Sequence, residues 1–188
     1  MEYRKQIPLK DGRTCILRNG TVQDAEAVLA NFLLTHAETD FLTSYPDENT
    51  ITLEQEREYL QKKQESLGEI ALIATVDGKV AGTAGVDRLS RFDKLKHRAS
   101  FGISIEKAFW GLGIGRALTE ACIECARTAG YTQLELEAVA ANTAAVKLYE
   151  SAGFTEYGRN PLGFRSRKSG WQELVLMRLE LCHAASAE

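Results

Sequence analysis

The chain has 188 residues, with 23 Lys+Arg against 26 Asp+Glu, a formal net charge of −3, 44% hydrophobic residues and 8% aromatics. Such a balance fits one soluble globular domain with its own core and disfavours nucleic-acid phosphates or anionic lipid as partners, since both call for clustered excess Lys and Arg. Its longest apolar stretches, such as Ile70 to Ala74, fall far short of a bilayer span, and Met1 to Lys10 is charged where a signal peptide is apolar, so a cytoplasmic protein is expected.

Residues 1–12 read as an N-terminal extension, residues 13–181 as a single domain and residues 182–188 as a flexible tail. Arg13 to Arg18 reads as a short strand after the Asp11-Gly12 turn. Val22 to Leu34 has helical apolar spacing with Thr21 placed to cap it, and Thr52 with Gln55 forms a capping-box pair ahead of a second helix. Glu69 to Val76 and Lys79 to Leu89 are β-rich runs joined by Asp77-Gly78, a strong hairpin signal, and Arg98 to Ile105 extends them into an antiparallel meander. Ile114 to Thr128 is helical and ends at Gly130; Tyr131 to Val139 alternates as a strand; Asn142 to Ala152 is a helix closed by Gly153. Phe154 to Arg159 and Trp171 to Glu180 finish as strands around a polar loop. The order βααβββαβαββ predicts an α+β fold with a mixed, mostly antiparallel sheet flanked by helices.

Cys122 and Cys125 form a CxxC pair inside a helical pattern, with no second pair or spaced His to complete a metal site, and read as small buried hydrophobes. His36, His97 and His183 match no ligand spacing and read as structural or surface residues. No metal is expected.

The stretch Phe109-Trp-Gly-Leu-Gly-Ile-Gly-Arg116 places glycines 111, 113 and 115 between a strand and a helix. Backbone N–H groups there can close on an anion at a helix start, although glycine for close strand-to-helix packing is the alternative reading. Neither the GxGxxG dinucleotide fingerprint nor the Gly-Lys-Ser/Thr of a nucleotide P-loop is present. Some 27 residues beyond Gly115 stands Asn142-Thr-Ala-Ala-Val-Lys-Leu-Tyr-Glu-Ser-Ala-Gly-Phe154.

These two segments resemble, in order and separation, the paired signatures of the GNAT superfamily, the acyl-CoA-dependent N-acyltransferases. The resemblance runs from about Cys15 to Leu181 and is sharpest between Phe101 and Phe154. It implies a small single-domain acetyltransferase in which Ile103, Ser104 and Ile105 pair with the pantetheine arm of acetyl-CoA through a splayed strand. The amides of Trp110, Gly111, Leu112, Gly113, Ile114, Gly115 and Arg116 would hold the pyrophosphate, Asn142 would touch the cofactor arm, and Tyr149 would be the general acid. Trp110 departs from the usual Arg or Gln. No acid precedes Glu106 on the strand ending at Ile105, so Glu137 is the candidate base. Arg116 and Lys147 are candidates for the adenosine 3′-phosphate, with solvated helix faces as the alternative.

An amine acceptor is protonated at neutral pH, so a base must free its nitrogen, backbone N–H groups must stabilise the oxyanion, and an acid of tyrosine's type can quench the departing thiolate. No nucleophile constellation supports an acyl-enzyme, and direct transfer in a ternary complex is expected. Phe41 and Tyr45, in an acidic link between the first two helices, are candidate acceptor contacts, and the cationic stretch Arg159 to Lys168 could meet a carboxylate. Together they point to a small-molecule amine or amino acid. A protein N-terminus is the alternative acceptor, and a non-catalytic coenzyme A module the alternative class. The resemblance also makes a homodimer possible.

Overall fold

The computed structural model describes residues 1–181. Cys182, His183 and the expected flexible tail lie outside the described residues. The strands are β1 (Arg4–Pro8), β2 (Thr14–Asn19), β3 (Ile70–Val76), β4 (Lys79–Arg88), β5 (Arg98–Ile105), β6 (Gln133–Val139), β7 (Thr155–Ser166) and β8 (Gly170–Glu180). The helices are α1 (Ala25–Glu38), α2 (Leu53–Glu65), α3 (Ile114–Thr128) and α4 (Thr143–Ser151). All eight strands form one sheet in the order β1-β2-β3-β4-β5-β6-β8-β7, antiparallel throughout except for the parallel β5–β6 pair.

The predicted α+β architecture is present, with two differences at its edges. Arg4–Pro8, read as part of an extension, pairs with β2 across the Asp11-Gly12 turn, where Gly12 takes φ +87°. The second difference is the length of β7, which runs on to Ser166 through irregularities between Glu156 and Gly158 and between Asn160 and Phe164. Pro161 and Gly163 made that segment read as loop, but an edge strand tolerates a missing donor, and bulges absorb the register.

The apolar run of β3 explains the layering. Ile70, Leu72, Ala74 and Val76 belong to the larger core with α3 residues such as Leu118, Cys122 and Cys125, whereas Ala71 and Ile73 join Ala25, Val28, Leu60 and Val80 beneath α1 and α2. A strand buried on both faces reads as continuous rather than alternating hydrophobicity. The predicted two-residue hairpin is present, with Asp77 at φ +50° and Gly78 at φ +80°. Cys122 and Cys125 are buried, and burial raises both thiols, that of Cys125 to about 11, which suits small hydrophobes rather than thiolate chemistry.

Candidate active site

The parallel ladder covers only Arg98, Ala99 and Ser100 against Gln133, Leu134 and Glu135. Beyond it β5 stays with β4, Phe101 opposite Val86 through Ile105 opposite Gly82, while β6 stays with β8, Leu136 opposite Met177 through Val139 opposite Leu174. The two strands therefore part, and the facing edges of Phe101–Ile105 and Leu136–Val139 have no ladder between them. A bidentate Arg98–Glu135 pair, with Nη2 to Oε2 at 2.7 Å, clamps the closed end. At the fork Phe101, the first unladdered residue of β5, meets Tyr149 edge-on at 6.0 Å between ring centroids and Phe154 at 6.2 Å.

The glycine loop stands beyond the end of β5. Gly111 and Gly113 take φ +76° and +105°, and a Cβ at either would meet no atom within 4 Å, standing instead in the cleft that both line. Gly115 serves packing, since a Cβ there would lie 3.3 Å from both Ile105 Cδ1 and Leu148 Cδ2. Gly113 caps α3 without a side-chain bond, and the first helical bond runs from Ala117 N–H to Gly113 O at 3.2 Å. The amides of Ile114, Gly115 and Arg116 thus open the helix as donors, at its positive end. Trp110 differs from expectation: its amide N–H already donates to the Lys107 carbonyl at 3.1 Å, so the cradle begins after it. Its indole N–H donates to Ile105 O at 2.8 Å and ties the loop to the open strand. Leu112 and Ile114 pack into the core, and Leu112 O accepts from the Lys10 amide at 3.3 Å.

One cleft of about 1370 Å³ joins these parts, lined among others by Ile103, Ser104, Ile105, Trp110, Gly111, Gly113, Gly115, Arg116, Glu137, Asn142 and Tyr149. The open β5 edge, the positive-φ glycines and the helix-start donors fit the pantetheine arm and pyrophosphate of a coenzyme A thioester. Asn142 caps α4, its Oδ1 accepting from Ala145 N–H at 3.3 Å, and also lines the cleft, so both readings of it coexist. Tyr149 is only 8% exposed, and burial pushes its hydroxyl up to about 12; that hydroxyl has no hydrogen-bond partner among the described residues. Glu137 is exposed on β6 at the cleft wall. Arg116 lines the cleft and donates to Ser151 Oγ at 3.2 Å, whereas Lys147 is not among the lining residues. Glu106 is buried and held by Lys79 Nζ at 2.6 Å and Asn31 Nδ2 at 3.1 Å, a structural anchor between α1 and the end of β5.

The acceptor side departs further from the sequence reading. Phe41 lines the cleft, but Tyr45 is not among its lining residues. Its hydroxyl donates to Ser166 Oγ at 3.2 Å and accepts from Arg167 N–H at 2.7 Å, while the Arg167 guanidinium lies 4.3 Å from its ring centroid. Arg167 also binds Asp47 and Glu48, and Arg159 binds Glu156 and Glu173. Arg165 stacks 5.4 Å from the Trp171 ring centroid. Arg167 of the cationic segment therefore pairs with the acidic link, and Arg159 with carboxylates of its own β7–β8 hairpin, rather than waiting for the two ends of a zwitterion.

Two cleft residues escaped the sequence reading. His36 donates from Nδ1 to the Phe32 carbonyl at 2.8 Å and stacks on the Phe32 ring at 3.8 Å; burial lowers its pKa, which leaves neutral imidazole with Nε2 as acceptor. Glu56 is a buried carboxylate on α2. Its signal was present in the sequence: Glu56, Leu60 and Lys63 share one helix stripe, the buried one, and a charge on such a stripe is informative.

A sheet opened between two parallel strands, with an anion cradle at the end of the gap, defines an acyl-CoA-dependent N-acyltransferase. Residues 31–154 match the Acetyltransferase (GNAT) family, and the chain belongs to it. It is an acetyl-CoA-dependent N-acetyltransferase that uses acetyl-CoA as acyl donor. It is 30% identical over 121 residues, 63% of this chain and 70% of the relative, to the L-methionine sulfoximine/L-methionine sulfone acetyltransferase of Salmonella typhimurium. It is 45% identical over 83 residues, 43% of this chain and 54% of the relative, to the [ribosomal protein bS18]-alanine N-acetyltransferase of the same organism. A GNAT-family acetyltransferase structure from Streptococcus pneumoniae superposes with TM-score 0.82 at 30% identity, covering 88% of this chain and 98% of that one. A Salmonella typhimurium acetyltransferase solved with acetyl-CoA shares the fold at TM-score 0.80 and 23% identity, covering 93% of this chain and 98% of that one. No helix among the described residues is long and apolar enough to cross a membrane, and no group of three or more His, Cys, Asp or Glu among them could hold a metal.

Proposed function

We propose that the protein transfers the acetyl group directly to a primary amine of a small molecule, an amino acid or similar amine, in a ternary complex. The observation that carries this reading is the single cleft that joins the open β5 edge and glycine cradle to a wall formed by α1 and α2, where Val28, Phe32, Tyr59 and Leu60 stand beside His36 and Glu56. A cleft set between two helices and the sheet suits a small acceptor. The relative that acetylates L-methionine sulfoximine and sulfone supports it, as does the Escherichia coli L-amino acid N-acyltransferase MnaT, 26% identical over 114 residues, 61% of this chain and 66% of the relative.

In this reading bound acetyl-CoA supplies an activated thioester. Ile103, Ser104 and Ile105 orient it through the unladdered backbone edge, and the amides from Gly111 to Arg116 hold its pyrophosphate, with Asn142 beside the arm. Glu137, exposed at the cleft wall, takes the proton of the acceptor ammonium directly or through water. N–H groups of the open β5 edge stabilise the charge that develops on the acyl oxygen. The freed amine attacks the acyl carbon and the C–S bond breaks; Tyr149, whose raised pKa keeps it protonated at neutral pH, gives its hydroxyl proton to the leaving thiolate and is restored by the proton that the nitrogen sheds as the amide forms.

Calorimetry with acetyl-CoA against ATP and NAD, followed by thiol release with free amino acids, simple amines and short peptides, tests the proposal. Selective acetyl-CoA binding and turnover of free amines are expected. Exclusive turnover of peptides would transfer the assignment to a protein N-terminus, the reading favoured by the match to the ribosomal-protein acetyltransferase. Tight acetyl-CoA binding without turnover of any amine would leave a binding module.

A further inference from the structure

We infer that Glu56 selects the acceptor by binding the ammonium of an amine with an apolar body, an alkyl- or arylalkylammonium; this rests on reading the cleft as the site of acetyl transfer. The inner stripe of α2 is Glu56, Leu60 and Lys63, so two of its three buried positions carry charge. Lys63 is balanced: its ammonium bonds Asp87 and lies 3.4 Å from Glu69 Oε2, with the Tyr59 ring centroid at 5.4 Å. Glu56 is not. It is 8% exposed and makes no side-chain hydrogen bond or ion pair among the described residues. Its oxygens are not among the sealed, unpartnered atoms of the interior, so they open onto the cleft that Glu56 lines.

Burying an unpaired carboxylate opposes folding, and the start of α2 offsets only part of that through the helix dipole. The capping box that fixes this turn, Thr52 Oγ1 accepting from Gln55 N–H at 3.2 Å and Gln55 Oε1 from Thr52 N–H at 2.9 Å, holds Glu56 in place. The cations lining the cleft do not neutralise it: Lys10 and Arg116 belong to the glycine-loop end, and Lys62 is exposed on α2.

The floor beneath Glu56 points the same way. Gly85 of β4 is paired with Gly102 of β5, two glycines facing each other across the ladder. A Cβ at Gly102 would meet nothing within 4 Å, whereas one at Gly85 would lie 3.2 Å from the Ile70 carbonyl of β3 and 3.9 Å from Tyr59 Oη, on the next turn after Glu56. Both glycines, Glu56 and Tyr59 line the cleft. Glycine inside a strand weakens it and marks close approach of another backbone, as at Gly85, or of a ligand, which leaves Gly102 as the position open to one. This bare track leads from the α2 wall to the strand whose free edge faces the gap, while Val28, Phe32, Ile51 and Leu60 supply apolar walls. An ammonium on an apolar body satisfies both features.

The test titrates the coenzyme A-loaded protein with phenethylamine and with its neutral isostere 2-phenylethanol, for the natural chain, Glu56→Gln and Glu56→Asp. The natural chain should bind the amine about 10- to 100-fold tighter than the alcohol, the range of a charge-assisted contact. Glu56→Gln should abolish that difference and Glu56→Asp reduce it, both retaining unchanged coenzyme A affinity. Equal binding of amine and alcohol by the natural chain, or amine affinity in Glu56→Gln within twofold of it, overturns the inference. Thiol release with acetyl-CoA is read separately: amine binding through Glu56 without turnover defeats the acetyl-transfer reading instead.

Discussion

The indole of Trp110 donates its N–H to the carbonyl of Ile105 at 2.8 Å, and so binds the first residue of the glycine motif to the last residue of the open strand. The side chain is 48% exposed, so little core packing depends on it. Trp110→Phe should raise the KM for acetyl-CoA about 2- to 10-fold, the worth of one neutral hydrogen bond, with kcat almost unchanged. A fall in kcat at constant KM would refute this positioning role.

Tyr149→Phe keeps the ring that packs against Phe101 and Phe154 and removes only the hydroxyl. We expect kcat to fall about 100-fold or more, with acetyl-CoA affinity and melting temperature little changed. Turnover preserved across a pH series would exclude Tyr149 as the acid.

Gly113 sits at φ +105° ahead of α3, a backbone state that disfavours any Cβ. Gly113→Ala should cost about 1–3 kcal/mol of stability, lowering Tm by about 2–4 °C for each kcal/mol, and should weaken acetyl-CoA binding through the displaced cradle. Thermal melts with and without acetyl-CoA check both effects; an unchanged Tm would mean that the loop relaxes freely.

Asp24 accepts from Arg18 Nη1 and Nη2 at 2.7 and 2.8 Å, and also from the Thr21 hydroxyl at 2.7 Å. The guanidinium is the main reason its carboxyl falls to about 2. A carboxyl depressed in the folded state below its unfolded value near 3.9 contributes stability above about pH 4, which is lost as pH falls toward 2. Melts from pH 7 to 2 should show Asp24→Asn less stable than the natural chain at neutral pH, with the two converging in acid. A constant gap would show that the charge is not the cause.

Asp40 accepts from Ser166 Oγ at 2.6 Å, Ser169 Oγ at 2.8 Å and Gln172 Nε2 at 3.1 Å, so it joins the link after α1 to the β7–β8 hairpin beside the cleft. In Asp40→Ala the KM for the amine should rise several-fold while that for acetyl-CoA stays constant, and the link should become more sensitive to limited proteolysis. Equal changes in both KM values would point to a global effect.

Local rules made most of this protein legible. Asp77-Gly78 signalled a hairpin, the β-rich run Glu69 to Val76 a strand, and the glycines at 111 and 113 a helix start open to an anion or to close packing; burial of that strand on both faces came from the structure. Asn142 and Tyr149 were implied by the resemblance of the second motif to the GNAT signature, and both line the cleft with the glycine loop. Strand β1 was hidden because Arg4–Pro8 is polar and short, and only its ladder to β2 defines it.

The net charge of −3 disfavoured nucleic-acid and lipid partners, and the glycines at 111, 113 and 115 offered backbone N–H groups able to hold an anion without a basic surface. Only the tertiary structure decided the acceptor side. Whether Arg167 meets a ligand or Asp47, and whether Glu56 faces bulk solvent or the cleft, depends on segments more than a hundred residues apart, or on different layers, coming together. A sequence records each charge, but pairing and burial are properties of the neighbours that folding supplies.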